Sequence, residues 1–155
     1  MIIMSRIDER LLHGQVVLAW LKAYPVQEAI VVDDDSAHDS LKKMLLEMAV
    51  SGQVKVTVVD EEEAPEAIKA AENKNVFLVA ADPAVFLHLL EKGTDIPNVN
   101  IGGIYDKPDR KQLYTTVFIN DQIKQTILDI SKYTKVEHRV VPNDNSVDII
   151  SDLSK

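Results

Sequence analysis

The sequence predicts an open three-layer α/β/α fold, a member of the α/β class, built on a mostly parallel β-sheet. Short apolar runs rich in Val and Ile alternate with longer amphipathic stretches in a repeated strand-then-helix order. Most of these runs are apolar throughout, as in strands that helices cover on both faces. A length of 155 residues and a hydrophobic content of 46% fit a single domain over residues 1–155 with one core.

Seven strands are predicted from the apolar, β-branched runs. They cover residues 2–5, 28–33, 55–59, 75–80, 98–101, 114–119 and 136–140. The carboxyl ends of parallel strands share one edge of the sheet, and ligands bind in the loops at that edge. We therefore look for functional residues in the loops that follow the first five strands.

Six helices are predicted between and after these strands, at residues 14–23, 36–50, 62–73, 83–92, 121–132 and 146–153. Asp82 before Pro83 is typical of a helix start, and Gly93 of a helix end. In the second helix, apolar residues recur at i, i+3, i+4 and i+7, which predicts a face buried in the core: Leu41, Met44, Leu45 and Met48. No other stripe requires a partner, so the sequence leaves the oligomeric state open.

Charge and composition exclude several classes of protein. The net charge of −8 argues against a general affinity for nucleic acid or anionic membranes. The longest uninterrupted hydrophobic runs, residues 16–21 and 76–81, are far shorter than the roughly 20 residues of a membrane-spanning helix. The chain has no Cys and no export signal at residues 1–6, so we expect a cytoplasmic location.

The loop after the first strand, residues 6–15, combines two arginines, two acidic residues and a histidine. The pKa of a histidine side chain lies near neutrality, so His13 is suited to act as a nucleophile or proton carrier at pH 7. The planar guanidinium groups of Arg6 and Arg10 are suited to neutralise a phosphoryl group through paired hydrogen bonds. The loop therefore predicts phosphoryl chemistry at the start of the first helix.

Neighbouring groups support the same interpretation. The backbone amides of Gly14 and Gln15 would point out of the helix N-terminus towards an anion, and Gly14 would allow close approach. Asp8 is positioned to hold the imidazole in one tautomer. The alternative is a solvated loop in which the two arginines only pair with Asp8 and Glu9.

Residues 6–16 resemble the signature of the IIB component of the mannose/fructose/sorbose-type sugar phosphotransferase system. The resemblance extends along the chain through residues 31–34, 42–49, 100–103 and 107–112. It implies an open α/β/α fold and an intermediate phosphoryl carrier. One departure follows the fourth strand, where members of the family often have a hydroxyl residue before Asn-Pro and this chain has Ala81-Asp82-Pro83.

The resemblance implies a phosphotransferase with three kinds of partner. His13 would accept a phosphoryl group from a phosphohistidine of the IIA component and pass it to a sugar that the membrane IIC and IID components translocate. Arg10 would be the main phosphoryl ligand, with Arg6 and Asp8 completing the motif. We expect peripheral association with the permease, and no cofactor or metal ion. The sequence does not identify the sugar.

Two further groups of residues are expected around this site. Gly102 and Gly103 are predicted to form a turn that brings backbone close to the phosphoryl group. A rim for docking partners is expected from Leu12, Lys107, Arg110 and Lys111. The alternatives are that Leu12 is buried under the loop and that the basic residues are only solvated.

Two other functions are alternatives to a phosphoryl carrier. Residues 33–35, three consecutive aspartates, end a strand as the phosphoacceptor cluster of a regulatory receiver domain would. A nucleotide-binding module is the second rival, but its first turn should read G-x-G-x-x-G and this turn contains only Gly14. The remaining histidines, His38, His88 and His138, are predicted to be exposed or structural, although His38 shares the sheet edge of His13.

Overall fold

The structure, a computed structural model, describes residues 1–50, 52 and 54–155. The strands are β1 (Ile2–Asp8), β2 (Glu28–Val32), β3 (Lys55–Val59), β4 (Val76–Ala80), β5 (Asn98–Gly103), β6 (Lys111–Tyr114), β7 (Val117–Ile119) and β8 (Lys135–His138). The helices are α1 (Gly14–Ala23), α2 (Asp34–Ala37), α3 (Ser40–Ala49), α4 (Ala64–Ala70), α5 (Pro83–Glu91), α6 (Asp121–Ile130) and α7 (Ile149–Leu153). Six strands form one sheet in the order β3-β2-β4-β1-β5-β8, and their pairings are parallel. The predicted fold class is confirmed.

Helices cover both faces of the sheet, and each face has its own apolar cluster. On one face, Trp20 of α1 and Val50 at the end of α3 pack on alternate residues of the central strands. On the other face, side chains of α4, α5, α6 and α7 form the larger cluster, with Phe86 and Ile127 fully buried. Truncating such a buried aromatic residue to Ala typically costs about 3–5 kcal/mol. The two clusters fix the position of the strands and therefore of their terminal loops.

Several predicted bounds shift by one to three residues, and β1 extends to Asp8, so Arg6 and Asp8 lie in the strand and not in the predicted loop of residues 6–15. Three differences have a clear physical cause. The predicted strand 114–119 is a hairpin of β6 and β7 outside the main sheet, because the chain reverses between Tyr114 and Val117. The predicted helix 36–50 is divided into α2 and α3, because the Asp39 side chain accepts the first free amides of α3 and starts a new helix. The last strand ends at His138, since the amide of Arg139 donates to the Asn100 side chain at 2.8 Å.

The prediction that the Met and Leu stripe of α3 is buried is wrong. The four side chains are 47–61% exposed: Leu41, Met44, Leu45 and Met48. Leu46 and Val50 pack on the core instead, from the opposite side of the helix. Helical spacing identifies an apolar face, but it does not determine which of two apolar faces the sheet covers. The protein therefore does have an exposed apolar stripe.

The strand order places three loops side by side at the centre of one sheet edge. Because β4, β1 and β5 are neighbours, the segments that follow Ala80, Asp8 and Gly103 leave the sheet next to one another. Residues 9–13 lie between the other two segments. Among the helices that the structure describes, none is long and apolar enough to span a bilayer.

Candidate functional site

The loop after β1 is a tight turn fixed by the Asp8 carboxylate and the neighbouring strand. Oδ1 of Asp8 accepts the amide of Arg10 at 2.9 Å, and the Asp8 carbonyl accepts the amide of Leu11 at 2.9 Å. The amide of Glu9 donates to the Gly103 carbonyl at 2.9 Å. Leu11 has a φ of 56°, a left-handed conformation that costs a bulky residue about 1–2 kcal/mol. The loop therefore stores some strain, which these contacts offset.

His13 lies in the open, between a buried anchor and the start of α1. Leu12 is only 4% exposed and packs in the cluster with Trp20, so the prediction that Leu12 faces a partner is wrong. His13 is the exposed N-cap residue of α1, with φ −129° and no side-chain cap hydrogen bond. Gly14 follows with a φ of 58°, which a residue with a side chain rarely adopts. Gln15 is exposed beside it.

The Arg6 side chain is buried beneath the loop. Its Nη1 donates to the Arg139 carbonyl at 3.0 Å and its Nη2 to Oδ2 of Asp8 at 3.3 Å. The guanidinium also lies over Trp20, with Cζ 5.4 Å from the ring centre. Burial lowers the pKa of Arg6, and the charge of Asp8 opposes this shift. Arg6 therefore fixes the site from below and is not a solvent-facing phosphoryl ligand.

Arg10 has a different environment from Arg6. Its guanidinium is exposed and lies over the Tyr105 ring, with Cζ 4.7 Å from the ring centre. The hydroxyl of Tyr105 donates to Oδ1 of Asp8 at 3.4 Å. Sequence analysis missed Tyr105, although it is the only aromatic residue of the loop 104–110. The cation–π contact therefore supports the exposed Arg10 side chain beside the loop.

Asp8 therefore does not hold the imidazole of His13, as the sequence had suggested. Its two carboxylate oxygens receive Arg6, the amide of Arg10 and the hydroxyl of Tyr105. Among the residues that the structure describes, none forms a hydrogen bond with the His13 ring. The alternative, in which both arginines only pair with Asp8 and Glu9, holds for Arg6, which pairs with Asp8. It does not hold for Arg10, which forms no ion pair with any residue that the structure describes.

Gly102 and Gly103 are not a turn, because they are the last two residues of β5. A Cβ on Gly102 would lie 2.1 Å from Cζ of Arg6, and one on Gly103 would lie 2.3 Å from the Tyr105 hydroxyl. These glycines therefore make room for two side chains of the site. The predicted turn is therefore wrong, and the approach of this backbone to a phosphoryl group stays a prediction.

In the predicted basic rim of Lys107, Arg110 and Lys111, one residue, Arg110, is fixed by the carboxylate of Glu9. Arg110 forms a bidentate pair with Glu9 at 2.9 and 3.0 Å and also donates to the Tyr105 carbonyl at 2.7 Å. Burial raises the pKa of Glu9, but hydrogen bonds from Arg110 and the amide of Tyr105 outweigh it and leave the pKa below its ordinary value. Arg110 is therefore a structural clamp, while Lys107 and Lys111 are exposed.

A cleft of about 320 Å³ opens beside Glu9, between the loops that follow β4 and β5. Asp82, which stands at the departure from the family pattern, caps α5 by accepting the amide of Ala84 at 2.9 Å. The other polar lining residues are Glu9, Lys107, Arg110, Asn120 and Gln122. The site therefore consists of an exposed histidine loop with a polar cleft beside it.

The other histidines have partners of their own. His38 is exposed and bonded to Asp60 at 3.0 Å, and His88 is exposed and bonded to Glu61. His138 is buried, and its Nδ1 lies 2.6 Å from the Ile101 carbonyl. Burial lowers the pKa of His138, the hydrogen bond to that carbonyl opposes the shift, and the charge of Arg6 reinforces it. The prediction that these histidines are exposed or structural agrees with this geometry.

The three consecutive aspartates do not form a receiver-type site. Asp33 caps α2 through the amide and hydroxyl of Ser36, and Asp34 accepts the amide of Glu61 at 2.8 Å. Asp35 forms an ion pair with Lys42. Among the described residues, no three potential ligands converge on a point that would hold a metal ion. The cluster is a helix start with surface pairs.

The parallel α/β sheet and the exposed histidine at the start of its first helix fit a IIB component of a sugar phosphotransferase system. The family model "PTS system sorbose subfamily IIB component" matches residues 2–155. The sorbose-specific EIIB component of Klebsiella pneumoniae is 33% identical over 99% of this chain and 96% of that protein. The fructose-specific EIIB component of Bacillus subtilis is 31% identical over 98% and 95%. The crystal structure of the IIBSor domain of the Klebsiella pneumoniae sorbose permease superposes with a TM-score of 0.94, at 33% identity over 99% and 96% of the two chains. The chain belongs to the family of sorbose-subfamily IIB components.

Proposed function

We propose that His13 is the phosphoryl-carrying residue of this IIB component and that residues 1–155 act as one carrier domain. His13 accepts the group from a phosphohistidine of the IIA component and delivers it to a sugar translocated by the membrane IIC and IID components. The observation that supports this most directly is the exposed imidazole of His13 at the N-terminus of α1, with no hydrogen-bond partner among the described residues.

The transfer consists of two substitutions at phosphorus. In the first, a ring nitrogen of His13 forms a P–N bond while the P–N bond of the donor histidine breaks and its electron pair returns to the donor ring. In the second, a sugar hydroxyl oxygen attacks the same phosphorus, the bond to His13 breaks, and the hydroxyl proton is released. Both transition states spread negative charge over the transferred oxygens, so positioning and positive charge supply the stabilisation.

Arg10 and the start of α1 supply that charge. Arg10 has no ion-pair partner among the described residues, so its guanidinium, with Cζ 4.7 Å from the centre of the Tyr105 ring, is available to bind phosphoryl oxygens. The amides of Gly14 and Gln15 are free of side-chain caps and lie at the positive end of the helix dipole. Arg6 and Asp8 are positioning residues, because they act through the loop and not through direct contact.

The exposed rim suits a partner with an acidic surface. Lys107 and Lys111 project into solvent from the segment after β5, and Arg110 holds this segment against the histidine loop through Glu9. Their positive charges would favour encounter with acidic residues around the donor phosphohistidine. Leu12 is not part of this surface because it is buried.

The decisive experiment is phosphorylation by a matching IIA component. The protein is incubated with phosphoenolpyruvate, the general phosphotransfer proteins and IIA, and its intact mass is measured at alkaline pH. We expect one added phosphoryl group that acid removes, absent from His13→Ala and present in the matched controls His38→Ala and His88→Ala. Full phosphorylation of His13→Ala would refute the assignment, and so would an unmodified wild-type protein beside a phosphorylated IIA.

The role of Arg10 is tested by a substitution that retains its charge. Arg10→Lys removes the planar pair of donors, and we expect the rate of transfer from IIA to fall about tenfold or more, since lost donors to a transition-state oxyanion are costly. The melting temperature should stay unchanged because Arg10 is exposed. Transfer at the wild-type rate would remove Arg10 from this role.

A further inference from the structure

The carboxylate of Glu9 joins the histidine loop to the segment that follows β5. Its Oε1 accepts the amide of Tyr105 at 2.7 Å and Nη1 of Arg110 at 2.9 Å, and its Oε2 accepts Nη2 of Arg110 at 3.0 Å. Nη1 of Arg110 also donates to the carbonyl of Tyr105 at 2.7 Å. Both backbone polar groups of Tyr105 are therefore bound, the amide by Glu9 and the carbonyl by Arg110, in one closed ring of hydrogen bonds.

This ring of hydrogen bonds is not an ordinary surface ion pair. The side chain of Arg110 is 10% exposed and that of Glu9 is 22% exposed. A bidentate pair between a guanidinium and a carboxylate fixes the orientation of both groups, and partial burial reduces its screening by salt. The pair therefore holds the backbone of Tyr105 in one position relative to the histidine loop.

The position of Tyr105 in turn affects Arg10, which directly follows Glu9 in the chain. Cζ of Arg10 lies 4.7 Å from the centre of the Tyr105 ring. The Tyr105 hydroxyl donates at 3.4 Å to Oδ1 of Asp8, the same oxygen that accepts the amide of Arg10. Tyr105 is thus linked to the side chain of Arg10 by its ring and to the backbone of Arg10 through Asp8. A shift of Tyr105 would therefore displace the guanidinium of Arg10.

The segment after β5 is also attached to the domain by contacts that do not involve Glu9. At one end, the amide of Ile104 donates to the Thr116 carbonyl at 2.9 Å. At the other end, the side-chain amide of Asn120 donates to Asp109 at 2.9 Å. These contacts remain when the carboxylate of Glu9 is removed, so the segment should stay folded while Tyr105 loses its fixed position. An effect on transfer can therefore be separated from an effect on stability.

We propose that Glu9 is a positioning residue for phosphoryl transfer, which acts through Tyr105 on Arg10. The inference rests on the proposed function, in which Arg10 binds the phosphoryl group carried by His13. Electrostatics alone predict the opposite effect, because Glu9 adds a negative charge to a loop that receives a group with a charge of about −2. On that basis, removal of the charge should favour transfer, and a purely structural role should leave the transfer rate of the folded protein unchanged. The three explanations differ in the sign of one measurable effect.

Single-turnover transfer from phosphorylated IIA, followed by rapid quenching, tests the proposal. Glu9→Gln keeps the shape of the side chain but loses the charged pair with Arg110. We expect its rate of transfer to His13 to fall about three- to tenfold, because a displaced binding group stabilises the transition state less. The matched control Glu62→Gln removes the same charge from an exposed residue after β3 and should transfer at the wild-type rate. Urea unfolding checks that each variant is folded under the assay conditions. An unchanged or faster rate in Glu9→Gln would overturn the proposal.

The same substitution in an Arg10→Ala background shows whether Glu9 acts through Arg10. There, Glu9→Gln should slow transfer by less than about twofold, since the group that it positions is missing. A loss as large as in the wild-type background would contradict the proposal, because Glu9 would then act on another group.

The other half of the pair is tested by Arg110→Gln, which should slow transfer to a similar extent. The double variant Glu9→Gln/Arg110→Gln should be no slower than the slower single variant, because both substitutions break the same contact. Losses that multiply would refute a joint action of the two residues. A wild-type protein that phosphorylated IIA leaves unmodified would overturn the proposed function, and this inference with it. A phosphorylated wild-type protein beside an equally fast Glu9→Gln variant would overturn this inference alone.

Discussion

Replacing Gly102 with Ala tests whether β5 is shaped around the buried Arg6. The new Cβ would lie 2.1 Å from Cζ, 2.3 Å from Nη2 and 2.5 Å from Nε of Arg6. Reaching an ordinary contact of 3.4 Å requires the guanidinium to move by about 1.3 Å. That movement breaks its hydrogen bonds to Asp8 and the Arg139 carbonyl. Overpacking and the loss of charged hydrogen bonds together should reduce the free energy of unfolding by about 2–4 kcal/mol.

Urea unfolding in a double-mutant cycle measures this contact directly. With a slope of about 2 kcal/mol per molar urea, Gly102→Ala should lower the midpoint by about 1–2 M. In an Arg6→Ala background the space is vacant, so the same substitution should cost less than about 1 kcal/mol. Gly103→Ala is the matched control: it meets the end of Tyr105, a flexible side chain that is half-buried and can swing away. An equal cost of Gly102→Ala in both backgrounds would refute the packing argument.

Three further predictions concern other parts of the site. Leu12→Asp should destabilise the fold by about 3 kcal/mol or more, because it buries a charge, and a wild-type melting temperature would contradict the burial of Leu12. Tyr105→Leu should slow transfer from IIA a few-fold by removing the aromatic support of Arg10, which is worth about 0.5–1 kcal/mol, whereas Tyr105→Phe should retain that support. His138 has a pKa lowered by burial from its ordinary 6.5, so the folded state binds fewer protons than the unfolded state. Stability should therefore be full above about pH 6.5 and fall as the pH decreases below it. Melting temperatures at about pH 7.5 and 5.5 should differ less in His138→Gln than in the wild-type protein, and an equal difference would show that another group is responsible.

Sequence reasoning recovered the features that depend on local patterns. Helix α1 was predicted with its observed bounds, and Asp82 was recognised as a helix cap. Both features depend on residues that are close together in the sequence. The reasoning failed where two segments distant in the chain meet. Arg139 lies 133 residues from Arg6, and nothing in the sequence near either residue indicates that the Arg6 side chain donates to the Arg139 carbonyl. Sequence reasoning also predicted the wrong buried side of α3, because the packing of the helix on the sheet determines which side is buried, and the spacing of apolar residues does not.

The charged residues at the end of β1 and in the loop after it show why a local sequence pattern does not determine the chemistry of the site. Judged from residue types alone, Arg6 and Arg10 are equally suited to bind a phosphoryl group, and Asp8 is suited to orient the ring of His13. In the structure, Asp8 accepts from three donors and the buried Arg6 donates to Asp8 and to a carbonyl, so of the two arginines only Arg10 is exposed to an incoming phosphoryl group.

This division of roles also explains what positions His13. No described side chain holds its ring, so its backbone is placed by the burial of Leu12 before it and the left-handed Gly14 after it. A carrier must present one nitrogen first to a donor protein and then to a sugar, and these two reactants cannot approach in the same complex. A ring fixed by Asp8 would suit one approach only. In the proposed function, a rigid backbone with a free imidazole would allow the ring to turn towards each partner, while Arg10 and the helix amides would stay in place to hold the phosphoryl group.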